Sequence, residues 1–390
     1  MPARNALGIA LALCSISGVM SAIVMVPIMP QIFRTFGAMP NANFWLPSLV
    51  TIPGFCAALL SPLAGWLGDK IDLKWPMMAC IILYALFGAA PFMLQDFHAI
   101  LAARIALGIS QVGVLMFSLA LIVQQFDGQA RDKWLSLQAA AATSSSILLL
   151  PLSGFLADSS LGWHGSFLIY LSAGMLAAFF AFQSLRAPVA TGHGNDGPAQ
   201  GMPWGWMLGQ CVVTCLGGVL IFSAQFQLGL ALATVGISNP ATIGVLSGLA
   251  VAGVVVGSLL FTRVKQRLGA AILPFEFLVC GVTLLAMWRF QMVPVLISFA
   301  FVNMIACGMM LPTLVTNVAA GLPDAVRGRG LGLWNSAFVL AQFVSSSIIA
   351  AVLAKPGRTV LDAFGLLGVM ALVLAAVLVR RHGPRVAASA

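Results

Sequence analysis

The stretch from Leu7 to Met29 reads LGIALALCSISGVMSAIVMVPIM and contains no charged residue. A helix that crosses a hydrocarbon layer needs about 20 such residues. The run meets that length and exceeds the apolar core of a cleavable leader, so it reads as a first spanning helix that stays in the protein. Within hydrocarbon, every backbone N–H and C=O must be bonded inside the protein, which leaves helices and closed barrels. Barrel strands alternate apolar and polar residues over about ten positions. This run is apolar throughout, so a helix follows.

Outward from it, the same pattern recurs. Apolar runs fall near 7–29, 44–66, 75–94, 98–122, 135–157, 165–185, 206–232, 239–262, 270–288, 292–315, 330–354 and 360–379. Of the residues, 61% are hydrophobic and 7% charged. A soluble domain carries about a quarter charged residues. These fractions exclude a water-facing globule and predict an all-α membrane protein of twelve transmembrane helices.

Charge then orients the spans. Of 19 Lys and Arg, all but five fall on one side when the amino terminus is placed inside. Arg34, Arg289, Lys355 and Arg358 fall on the other side, and Arg104 lies within a span. Positive residues are retained in cytoplasmic loops during insertion, so both termini are expected to be cytoplasmic. A net charge of +9 in a soluble chain would point to nucleic acid. Here the lipid bilayer explains it, and no nucleic-acid partner is expected. The seven cysteines lie in apolar runs without a CxxC pair, which predicts neither a disulfide framework nor a metal site.

The longest polar break, Arg186 to Pro203, holds Gly192, His193, Gly194, Asn195, Asp196, Gly197 and Pro198. Such a stretch buries no core and reads as a linker. It predicts a first six-helix bundle over 1–186, a cytoplasmic linker over 187–203 and a second bundle over 204–390. The halves echo one another. Arg131-Asp-Lys-Trp-Leu-Ser-Leu opens the fifth span and Arg327-Gly-Arg-Gly-Leu-Gly-Leu the eleventh. Ser144-Ser145-Ser146-Ile147 recurs as Ser345-Ser346-Ser347-Ile348. Pseudo-symmetric halves around a midplane site are a habit of secondary transporters.

Several motifs carry candidate chemistry. The loop after the second span reads Gly65-Trp66-Leu67-Gly68-Asp69-Lys70-Ile71-Asp72-Leu73-Lys74. Gly65 lets two helices approach closely. Asp69 suits a helix amino terminus or an Arg partner across the bundle. In the fourth span, Arg104, Gly108 and Gln111 share one helix face. A guanidinium at membrane depth costs several kcal/mol unless it faces protein or water, so that face points inward. Two readings of Arg104 stand: it binds an anionic group or moves a proton, or it snorkels and caps neighbouring carbonyls. In the fifth span, Pro151 and Gly154 predict a helix bend.

The Gly65–Lys74 loop resembles the cytoplasmic signature of the major facilitator superfamily, G-x-L-a-D-[RK]-x-G-[RK]-[RK]. Asp72 and Leu73 depart from it. Arg104-Ile-Ala-Leu-Gly108 is similar to the R-x-x-x-G of the same superfamily. Pro151-x-x-Gly154 keeps part of the antiporter signature G-P-x-x-G-G, and Trp163-His164-Gly-Ser-Phe167 keeps part of W-R-x-x-F. The chain resembles a twelve-helix bacterial member whose nearest pattern is the drug:proton antiporter group. That resemblance implies the major facilitator fold, alternating access, an inner-membrane location, a monomer and no cofactor. It implies a gate at Gly65, Asp69, Lys70, Lys74, Arg131 and Arg327. It also implies a cavity or coupling set of Arg104, Gln111, Gln138, Ser145, Gln210, Thr214, Gln225, Asn303, Asn335 and Gln342. For each of these polar residues, an interhelical hydrogen bond is the equal alternative.

Proton coupling needs an acid that titrates in the membrane. Of ten Asp and Glu, only Glu276 lies clearly inside a span, and it reads as a snorkelling side chain paired with Arg263, Lys265 and Arg267. Asp158, at the end of the fifth span, is the other candidate. Trp163 and Tyr170 read as an aromatic interface belt. No nucleophile–base pair, metal cluster or phosphate loop marks an enzyme. The expected function is proton-coupled multidrug efflux of small amphipathic compounds. The alternative is uptake of a small organic or inorganic anion by symport, with Arg104 as counter-charge.

Overall fold

The computed structural model describes residues 2–68, 72–181 and 202–382. Its helices are α1 (Pro2–Leu13), α2 (Ile16–Ile23), α3 (Met29–Phe36), α4 (Ala42–Gly68), α5 (Lys74–Ala89), α6 (Phe97–Gln125), α7 (Gly128–Asp158) and α8 (Ser172–Ala181). Then follow α9 (Trp204–Thr234), α10 (Pro240–Leu268), α11 (Ile272–Arg289), α12 (Val293–Gly321), α13 (Asp324–Leu353) and α14 (Val360–His382). Among the described residues, 11 helical stretches are long and apolar enough to cross a membrane. One of them, Pro240–Arg289, is 50 residues long. At 1.5 Å per residue it is about 75 Å long, more than twice the hydrocarbon thickness. A 3-10 turn at Gly269–Ala271, with Gly269 at φ +52°, divides it into α10 and α11. The stretches therefore amount to twelve crossings. Large apolar side chains such as Leu148, Met175 and Leu259 are 75%, 76% and 72% exposed, as lipid-facing residues must be.

By internal contacts the chain forms two compact units. The first comprises 1–194 with 238–248, and the second 195–237 with 249–390. Most of the expected linker, 187–203, lies outside the described residues.

In the first unit, α6 packs on α4 and α5, α5 on α8, and α7 on α1 and α2. Asp96 starts α6 by accepting the Ala99 N–H at 2.9 Å, and Asn239 starts α10 by accepting that of Thr242 at 2.9 Å. The Asn239 amide donates to Asp158 at 2.8 Å, so Asp158 is an exposed partner at a helix end. Pro151 sits inside α7 and cannot donate to the carbonyl of Ile147. Gly248 of α10 lies against Pro151 and that carbonyl, and Gly244 against the carbonyl of Leu150. Glycines let the two backbones meet there.

In the second unit, α9 packs on α13, and α11 on α12 and α14. Pro312 interrupts α12 and frees the carbonyl of Gly308, to which Ser258 of α10 donates at 3.3 Å. Gly253 and Gly257 of α10 meet the backbone of α12, and Gly308 meets that of Val254.

Two elements differ from the sequence expectation. The first span is not one helix: it breaks at Cys14–Ser15 and again over 24–28. Pro27 lacks an N–H and its ring excludes the carbonyl four residues back, that of Ile23, where α2 ends. Ser15, Ser17 and Ser21 offer their hydroxyls to nearby carbonyls and compete with the helix ladder. The sixth span begins as a ten-residue 3-10 helix, Gly162–Leu171, before continuing as α8. Runs of that tighter form beyond about 3–4 residues are uncommon and mark strain or a hinge.

Candidate functional site

The broken first span has the richest polar environment in the first unit. Each break frees carbonyls at membrane depth, where each unbonded group costs several kcal/mol. Side chains from four other spans donate to carbonyls of this span. Tyr84 of α5 donates to the carbonyl of Ser17 at 2.7 Å. Ser153 of α7 donates to that of Val24 at 2.6 Å, just past the second break. Tyr170, from the 3-10 stretch, lies 3.2 and 3.3 Å from the carbonyls of Met20 and Ser21. Arg104 of α6 donates from Nη2 to the carbonyl of Ser21, from Nε to that of Leu49 at 3.0 Å, and from Nη1 to the Tyr170 hydroxyl at 3.1 Å. At the first break, Ser15 contacts the carbonyl of Gln138 at 2.7 Å, while the Gln138 amide donates to Ser118 at 3.1 Å.

Arg104 is 0% exposed and is the largest fully buried side chain. Its guanidinium caps neighbouring carbonyls, the contact that the second of its two readings expects. Tyr170 is also 0% exposed, so it belongs to the interior and not to an interface belt. Its ring lies 5.6 Å from that of Tyr84. These are the only two tyrosines beside 25 phenylalanines. That contrast is the signal the sequence held: a phenol deep in an apolar run must find an acceptor. Ser153 carried no such mark, because serine is common in helix packing.

An apolar cavity of about 520 Å³ adjoins the break, lined by Ile9, Leu13, Cys14, Met20, Tyr84 and Phe179 among others. Its volume falls in the range of about 300–1,000 Å³ that small-molecule sites occupy.

In the second unit, α9 and α13 share an aromatic ladder. Phe226 stacks on Phe222 at 5.3 Å, Phe222 meets Phe338 at 5.1 Å, and Phe338 stacks on Trp334 at 5.8 Å. The same two helices hold buried polar atoms without a hydrogen-bond partner: Thr214 Oγ1, Ser223 Oγ, both amide atoms of Gln227, Trp334 Nε1 and Ser346 Oγ. Gln210 and Gln225 of α9 are half-buried, Gln342 of α13 is buried and Asn335 is exposed. Gln227 and the ladder were not singled out in the sequence.

The remaining expected residues divide as follows. Gln111 is buried on α6, with Oε1 unpartnered. Ser145 bonds within its own helix to Ala142 at 2.8 Å. Asn303 is 0% exposed and donates to Thr283 of α11 at 2.8 Å, so it joins two helices of one unit. Gly154 is buried in α7 and Pro151 half-buried. Of the gate set, Asp69 and Lys70 lie outside the described residues, as do the side-chain surroundings of Gly65 and Arg327. Lys74 opens α5 with its ammonium 5.5 Å from the Trp75 ring centre, and Arg131 is exposed near the start of α7.

Glu276 departs from expectation. It is 0% exposed and has no ion pair with Arg263, Lys265 or Arg267. Helical spacing turns it toward α12, where Oε1 accepts from Thr313 at 2.7 Å and Oε2 has no partner.

Twelve apolar helices with an interrupted, side-chain-capped first span define a polytopic membrane protein. The family model of the Major Facilitator Superfamily matches residues 11–275, and the chain belongs to that superfamily. Among curated relatives, the multidrug resistance protein MdtG of Dickeya zeae is 27% identical over 38% of this chain and 36% of its own length. The putative multidrug resistance protein MdtD of Yersinia enterocolitica is 30% identical over 31% of this chain and 26% of its own length. The alignments thus span about a third or less of those two relatives. The uncharacterized transporter YceJ of Bacillus subtilis is 26% identical over 83% of both chains. Among solved structures, a bacterial homologue of the human lysosomal transporter Spinster aligns with a TM-score of 0.74 at 15% identity, covering 97% of this chain and 96% of its own. The xylose transporter XylE of E. coli aligns at 0.73 and 14%, covering 98% and 96%. At these identities the likeness shows the fold. The chain is a multi-pass membrane protein of that superfamily.

Proposed function

We propose that this protein exports small amphipathic compounds from a bacterial cell across the inner membrane, by proton-driven antiport and alternating access. The observation that carries the reading is the α9–α13 surface. It stacks four rings in a row, from Phe226 to Trp334, and α9 also holds unpartnered polar atoms on Thr214, Ser223 and Gln227. Rings with a few polar groups suit a compound with an apolar body and one or two polar ends. The names of MdtG and MdtD agree with this substrate class.

Uptake of an anion finds less support. Arg104 would be its counter-charge, yet the guanidinium is buried and engaged with Ser21, Leu49 and Tyr170. Arg104 is better read as a positioning residue of the first span. Gly65, Asp69, Lys70, Lys74, Arg131 and Arg327 are proposed as the cytoplasmic gate, with both termini on that side and the protein acting as a monomer.

Expression in an efflux-deficient host tests the reading. Resistance to lipophilic aromatic compounds should rise, and an uncoupler should abolish the gain. An unchanged resistance panel together with accumulation of a labelled organic anion would establish import instead.

A further inference from the structure

Glu276 is the acid that the first-span site does not use, and its surroundings are unusual. It is the fifth residue of α11, about 6 Å along the axis from the helix start at 1.5 Å per residue. The side chain is 0% exposed. Thr313 Oγ1 of α12 lies 2.7 Å from Glu276 Oε1 and 3.0 Å from the carbonyl oxygen of Met309. Neither acceptor has a proton of its own when the carboxyl is ionised, and one hydroxyl supplies only one. The hydroxyl is shared between the two acceptors, so the carboxyl receives at most part of one hydrogen bond. Oε2 has no partner at all. A charge on that atom would be unsolvated, whereas a neutral carbonyl there costs far less.

Among the described residues none forms an ion pair with it, and the Lys265 ammonium is the charge whose field reaches it. Along α11 itself stand Cys280, one turn on, and Arg289 at the far end, about 20 Å away at 1.5 Å per residue. α12 offers Cys307, which contacts Cys280 at 4.0 Å, and no charge. α9 carries Cys211 and Cys215 and no charge. α14 has Asp362 in its first turn and Arg380, Arg381 and His382 in its last. Arg380 lines a groove with Pro274 and Leu278, which helical spacing puts on the side of α11 turned away from Glu276. On α10, Lys265 donates to Thr316 at 3.0 Å, and Thr316 bonds the carbonyl of Thr313 at 3.2 Å. Polar atoms thus run from the basic end of α10 through Thr316 and Thr313 to Glu276.

We propose that Glu276 is a proton-binding site of the second unit, which holds a proton in this conformation and releases it toward Lys265 when α11 and α12 part enough to admit water. Binding forms an O–H bond at the carboxyl, and release returns the proton to water, leaving the carboxylate. The proposal rests on the proton-coupled reading for its role in transport, but the protonation itself stands apart from any substrate.

Infrared spectroscopy of the purified protein tests it. At neutral pH the wild type should show a carboxylic-acid carbonyl band that is absent in Glu276→Gln, shifted in Thr313→Val, and lost as pH rises. In vesicles, Glu276→Gln should lower pH-gradient-driven transport about tenfold or more while substrate exchange without a gradient persists, because the amide mimics the acid but releases no proton. No difference band between wild type and Glu276→Gln would overturn the proposal. So would a band that persists at every pH with gradient-driven transport intact in the variant. If wild-type transport ignores an uncoupler while the band still titrates, the export reading falls and the proton site remains.

Discussion

The Arg104 guanidinium and the Tyr170 hydroxyl meet over the carbonyl of Ser21, and single atoms can be removed there. Tyr170→Phe keeps the ring but takes from the buried Arg104 Nη1 its hydroxyl acceptor. A buried group left unpaired costs about 1–3 kcal/mol. Tyr84→Phe frees only the Ser17 carbonyl, which sits inside α2. Thermal unfolding of the purified variants should therefore rank wild type, then Tyr84→Phe, then Tyr170→Phe at the lowest midpoint. Equal midpoints for wild type and Tyr170→Phe would show that the hydroxyl does not hold the first span. Arg104→Lys keeps the charge but loses the fork that reaches three acceptors, so it should lose stability as well. If Arg104→Lys unfolds like wild type yet abolishes transport, the residue meets substrate after all. At this scale the sequence revealed the inward face of Arg104 but not its partners. They come from residues 21, 49 and 170, and nothing in their spacing links them.

The elements explain why some boundaries were legible and others were not. Apolar length located helices closely, as α9 and α11 show, because hydrocarbon thickness sets a minimum that any sequence must meet. Length said nothing about interruptions. Pro27 and three serines break the first span without adding a charge to residues 7–29, so the apolar run looked continuous. The 3-10 start of the sixth span was hidden for the same reason. Helix–helix contacts were partly visible as glycines, and their cost is testable. A Cβ on Gly257 would meet the backbone of Ile305, whereas one on Gly209 meets nothing within 4 Å. Alanine normally stabilises a helix over glycine by about 0.5–1 kcal/mol. Gly209→Ala should therefore unfold at or above the wild-type temperature, and Gly257→Ala below it, since α10 and α12 must separate. Matching shifts for the two variants would mean that the glycines do not set the helix spacing.

For the whole molecule, parity links the helix count to orientation. Twelve crossings put both termini on one side; eleven would put them on opposite sides. The count depends on reading Pro240–Arg289 as two spans turned at Gly269–Ala271. The side depends on charge, because 14 of the 19 Lys and Arg fall together when the amino terminus is inside. The Lys and Arg near that turn, Arg263, Lys265 and Arg267, then face the cytoplasm, and Arg289 at the end of α11 faces outward. A cysteine-free background with single cysteines at position 266, position 291 and each terminus can be labelled in intact cells with a membrane-impermeant maleimide. Position 291 should react, while position 266 and both termini should react only after the cells are opened. Labelling of one terminus alone in intact cells would break the parity and reduce Pro240–Arg289 to a single crossing. Labelling of both termini, with position 291 protected, would keep twelve spans and invert them, moving the proposed gate and the exit from Glu276 to the outer face.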